Sequence, residues 1–127
     1  MNLEKVVFGF FIVLAATLNF GFFIGDIDRP ELHNVYELFA AIVVNLIATV
    51  LKFGDRTQIG AIHLATSLVA DLQLLAAAIT WAVAMYASGI GMTAEMTASV
   101  VSLSGGALFA NIVSVAILIA ETVMMRR

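Results

Sequence analysis

Apolar residues fall into four long runs, at residues 6–24, 35–51, 60–87 and 97–124, separated by short polar connections at 25–34, 52–59 and 88–96. Each run is near or above the roughly 20 residues that carry an α-helix across a hydrocarbon core of about 30 Å. The pattern predicts an all-α integral membrane protein of four transmembrane helices, a single domain over residues 1–127. The first run begins just after Lys5, lacks a small-residue cleavage site and is followed by three more spans, so it reads as a retained span and not a removed signal.

The polar positions inside these runs carry most of the functional information. At about 100° per residue, Asn45 and Thr49 share one stripe of the second segment with Lys52 and Arg56. In the third segment His63 and Ser67 lie together, with Asp71 at one margin and Thr66 and Gln73 at the other. Asp71 lies about 17 Å from the start of its run, near the middle of the core. A central Asp costs roughly 2.5–3.5 kcal/mol on insertion scales, so something must offset it. Three roles are open. It can be a neutral carboxyl donating to Asn45 or Gln73, or an ion-pathway residue with Thr66, Ser67 and Gln73 supplying oxygens. It can also pair with Lys52 or Arg56, or relay protons with His63. His63 alone reads as a hydrogen-bonded helix-end histidine.

The fourth segment differs. Ser102, Gly106, Ala110 and Ser114 recur every four residues, a small-residue ridge suited to close helix packing within the chain or between subunits, with Ser104 and Asn111 in an adjacent row. Trp81 and Tyr86 suit an interfacial belt, and Glu121 suits a partner in Arg126 or Arg127.

Composition agrees with the pattern: 62% of the 127 residues are hydrophobic and 12% charged. A soluble domain carries about 25% charged residues. The absence of Cys excludes disulfides and thiolate chemistry. With four crossings, Lys5, Lys52, Arg56, Arg126 and Arg127 fall on one side and only Arg29 on the other, which predicts both termini in the cytoplasm of a bacterial inner membrane. The other face is acidic, with Asp26, Asp28, Glu31, Glu37 and Glu95 forming a candidate vestibule that concentrates cations. Residues 25–31 read as a turn leading into a helix, with Asp28 as a candidate cap. No calcium-loop spacing follows Asp26 and Asp28.

Two family comparisons end in mismatch. The spacing of Thr66 and Asp71 matches the filter segment of potassium channels, but both of its glycines are missing. Four spans and small size match the small multidrug-resistance transporters, but the first span offers Asn19 where those carry a Glu. No Ser/His/Asp set, paired acids or metal cluster appears, so no enzyme, metal or cofactor is expected. The expected function is a homo-oligomeric cation channel in which Asp71, Gln73, Ser67, Thr66, Asn45 and Thr49 line the path of monovalent or divalent cations. Its partners are the lipid bilayer and further copies of the chain, and not nucleic acid. Two alternatives are a non-transporting helical subunit or assembly factor using the Ser102 to Ser114 ridge, and a small proton- or sodium-coupled transporter.

Overall fold

In the computed structural model, which describes residues 3–24 and 33–125, each apolar run becomes a helix: α1 (Leu3–Phe23), α2 (Val35–Lys52), α3 (Gln58–Ala82) and α4 (Ala94–Met125). A π turn over Val83–Ala87 extends α3 by one more coil. All four are long and apolar enough to cross a membrane, as expected of a multi-pass membrane protein. The helix bounds differ from the apolar runs mainly at N-termini. The backbone winds up as soon as a cap is available, even where the first turn is polar: Asn34 caps α2 by accepting from the Tyr36 N–H at 2.9 Å, and Thr57 caps α3 by accepting from the Gly60 N–H at 2.9 Å. Asp28, the cap candidate of the first connection, lies outside the described residues.

The helices pack α1 on α2, α2 on α3, α3 on α4 and α4 on α1, so that α1 and α3 face each other across the diagonal. The α3–α4 seam is the most extensive. Small residues permit the close approach: Ala41, Ala48, Ala70, Ala77, Ala107 and Ala110 are buried. Bulky residues such as Phe10, Phe20, Val43, Leu72 and Phe109 face outward, as a lipid-facing surface requires. One apolar cluster, built on Phe22, Leu38, Leu74, Val100 and Val101, fills the half of the bundle near the 24–33 connection. A second, smaller cluster of Phe8, Ile12 and Ala48 fills the half that carries both termini.

The third span runs without a break past Thr66 and Ser67. Thr66 bonds its own helix, donating to the His63 carbonyl at 2.9 Å. After the π turn the chain reverses at Gly89 and Gly91, whose φ values of +73° and +83° need a residue without Cβ.

Candidate functional site

The buried polar side chains of all four helices converge on the bundle axis. Asn19 of α1, Asn45 and Thr49 of α2, His63, Ser67 and Asp71 of α3, and Ser104, Asn111 and Ser114 of α4 are all buried. Leaving them scattered would cost several kcal/mol per unpaired group in lipid, so convergence is the arrangement that lets each find a partner.

Three amides form a directed chain. Asn45 Nδ2 donates to the Ala41 carbonyl at 2.7 Å, Asn111 Nδ2 to Asn45 Oδ1 at 2.9 Å, and Asn19 Nδ2 to Asn111 Oδ1 at 2.6 Å. A carbonyl can only accept, so the Ala41 oxygen fixes which way every amide in the series points. The chain ties α1, α4 and α2 together and leaves Asn19 Oδ1 without a partner.

One turn along α2, the Thr49 hydroxyl lies 2.9 Å from the Asn45 carbonyl and 2.6 Å from Asp71 Oδ2. Asp71 is only 7% exposed, and its other oxygen, Oδ1, has no hydrogen-bond partner. Ser67 Oγ, one turn earlier on α3, is buried and unpartnered as well. A further turn back, His63 places Nδ1 2.6 Å from Ser114 Oγ and leaves Nε2 buried without a partner. The edge of the His63 ring packs against Phe8, with centroids 4.9 Å apart, and the Lys52 ammonium sits 4.3 Å from the Phe8 centroid.

Phe8 also walls a cavity of about 700 Å³ at the end of the bundle that carries both termini. Its rim is charged with both signs: Lys5 pairs with Glu121 at 2.7 Å, Lys52 with Asp55 at 3.4 Å, and Glu4 and Arg56 complete it. Phe8 therefore touches both this cavity and His63.

Of the residues expected to line a path, Asp71, Ser67, Asn45 and Thr49 meet inside the bundle. Thr66 sits on the flank of α3, and Gln73 packs into the α3–α4 seam, where a Cβ on Gly106 would fall 2.9 Å from its Oε1. The hydrogen-bond partner of Asp71 is Thr49 and not Asn45, Gln73, Lys52 or Arg56. Its carboxyl is buried in the interior of its own four helices. The small-residue ridge is divided: Gly106, Ala110 and Ser114 serve the contact with α3 and the interior, while Ser102 is exposed. Asn111 turns out to be the hub of the amide chain. Of the acidic vestibule, Asp26, Asp28 and Glu31 lie outside the described residues. Glu95 is exposed, and the Glu37 carboxylate rests against Gly21, whose missing side chain makes the room. Glu121 pairs with Lys5, and Arg126 and Arg127 lie outside the described residues. Trp81 stacks edge-on between Phe39 and Tyr86, and Tyr86 is exposed.

Asn19 and Phe8 are the members of this constellation that the polar pattern does not single out. Asn19 had a signal, being the one strongly polar residue in the apolar run of the first span. Phe8 had none, since seven other Phe residues also lie within the apolar runs.

Residues 32–122 match the model of a family described as a family of unknown function (DUF6394). No curated protein and no solved structure matches the chain.

Proposed function

We propose that this chain, which belongs to the family of unknown function DUF6394, is a membrane protein that conducts a small cation through the polar interior of its own four-helix bundle, with Asp71 as the obligatory site. The observation that carries the reading is the line of buried, unpartnered atoms on one face of α3: His63 Nε2, Ser67 Oγ and Asp71 Oδ1. A purely structural polar core is stable when each group is bonded, and half-satisfied networks are worse than an apolar core. Groups left open in a row, starting behind the wall of a charged cavity and ending on a carboxyl, are suited to a guest that fills those valences in passing.

Phe8, held between Lys52 and His63, closes the path toward the cavity, and the Asn19, Asn111 and Asn45 chain ties α1, α4 and α2 together around it. With Lys5, Lys52 and Arg56 at the cavity end, the bias of basic residues toward the cytoplasm orients that mouth inward. The cytoplasmic membrane of a bacterium suits this charge pattern. Since the carboxyl faces inward, one chain suffices for one path.

The test is cation flux into liposomes containing the purified chain. Flux above that of protein-free liposomes, lost in Asp71→Asn while helicity and monodispersity persist, is the expected outcome. Equal flux through wild type and Asp71→Asn removes the basis of the reading.

A further inference from the structure

Resting on the reading above, the geometry points to the proton as the cation bound at Asp71, loaded from the cavity end through His63 and Ser67. The first argument is a count of hydrogens at Thr49. Its hydroxyl owns one proton, yet Oγ1 lies 2.9 Å from the Asn45 carbonyl and 2.6 Å from Asp71 Oδ2. The carbonyl can only accept. Both contacts are two-centre hydrogen bonds at the same time only when Thr49 donates to the carbonyl and Asp71 Oδ2 donates to Thr49, that is, when Asp71 is a neutral carboxylic acid. When Asp71 releases its proton, Thr49 must turn its hydrogen to the carboxylate and the bond to the Asn45 carbonyl is given up. One proton thus switches the direction of the Thr49 hydroxyl, and the heavy atoms already sit where both states need them.

The second argument is the chemistry of the approach. His63, Ser67 and Asp71 are spaced four residues apart on one face of α3, with steps of about 6 Å along the axis. Each presents a buried atom without a partner. None of these atoms bonds another, so a proton moves between them on intervening water, Ser67 accepting one hydrogen as it gives up its own and the carboxylate ending as the neutral acid. The amides of Asn45, Asn111 and Asn19 hold theirs, and the Ala41 carbonyl fixes their direction. On α3 itself, the proton-competent groups lead to Asp71 from the cavity side. A metal cation is less well served: it needs several oxygens at once, one Asp71 oxygen is taken by Thr49, and the described residues contain no cluster of three His, Cys, Asp or Glu side chains.

The charged and titratable groups nearest this site on each helix do not touch Asp71. On α2, Lys52 is turned to Asp55 and Phe8. Lys5 of α1 and Glu121 of α4 pair with each other at the bundle end, and His63 of α3 lies two turns away against Phe8 and Ser114. The proton on Asp71 is thus controlled by Thr49 and by access along α3.

Two measurements on the full chain test this. The infrared difference between wild type and Asp71→Asn near neutral pH is expected to contain a protonated-carboxyl C=O stretch. That band shifts in Thr49→Val, which keeps the shape and loses the hydrogen-bond partner. In liposomes whose only other cation is N-methylglucamine, a lumenal pH dye is expected to report proton flux that Asp71→Asn lowers to the protein-free rate and that added Na⁺ or K⁺ leaves unchanged. A carboxylate band with no protonated-carboxyl band at neutral pH overturns the proton assignment. Na⁺ or K⁺ flux without proton flux also overturns it, while leaving cation passage standing. A protonated-carboxyl band with no flux of any cation supports proton binding at Asp71 and rejects passage.

Discussion

At the scale of single residues, Asn111 matters most to the bundle's integrity. It accepts from Asn19 and donates to Asn45, so it joins three helices with one side chain. Asn111→Ala strands both partners as buried unsatisfied groups, each worth about 1–3 kcal/mol. Polar contacts in membranes average nearer 0.6 kcal/mol, because the separated helices find other partners. The expected loss is about 1–3 kcal/mol in SDS-induced unfolding from mixed micelles, and it exceeds that of Asn19→Ala, which breaks one bond. Equal losses would mean that the amides do not act as a chain. The importance of Asp71 was legible from its depth in an apolar run. That its partner is Thr49 was not, because Asn45 and Thr49 share one face of α2 that allows the contact and only the packed helix positions choose between them.

At the scale of elements, the α2–α3 turn shows how local chemistry sets a helix start beside the cavity. The Thr57 hydroxyl donates to Asp55 Oδ1 at 2.6 Å while accepting from the Gly60 N–H, and the Thr57 N–H donates to the same carboxylate at 2.9 Å. Gly60 has no Cβ, which leaves room for that carboxylate over the helix N-terminus, where negative charge is favoured. The Thr57 hydroxyl first, then its backbone N–H and the Lys52 ammonium, hold the Asp55 carboxyl below the usual carboxylate range. A depressed folded-state value means that the stabilisation is complete above the unfolded value, about pH 4, and is lost as pH falls through the folded value. Wild type is therefore expected to melt above Asp55→Asn at neutral pH, with the gap closing as the buffer is taken below about pH 4. A gap that persists into acid would assign the effect to something other than this charge. Asp55 is exposed enough that solvent screening keeps the gap small.

At the scale of the whole molecule, the sharpest question is whether the path belongs to one chain or to an assembly. On the proposed function, an Asp71 that faces its own bundle gives each chain an independent path, so mixing wild type with Asp71→Asn in the same liposomes is expected to lower flux in proportion to the mutant fraction. A ring of Asp71 side chains around a common axis gives a much steeper fall, because one inactive copy disables the assembly. One copy of the bundle already holds a charged cavity at one end, a polar interior, and an outer surface of Phe, Leu, Ile and Val.

The number of spans, their approximate limits, the acid at mid-depth and the excess of basic residues near both termini were determined by the sequence alone, because length, hydropathy and charge act locally and need no partner to be read. Which way each polar face turns was decided only by tertiary structure. Rotating α3 about its axis would leave its sequence pattern unchanged yet carry Asp71 from its own interior to an interface with another copy. The rotation is fixed by the small residues of α4 that admit α3 closely, by Phe8 reaching His63 across the diagonal, and by the Asn and Thr bonds that only close in one packing. Those are contacts between distant parts of the chain, and their energies depend on three-dimensional register that no single helix contains.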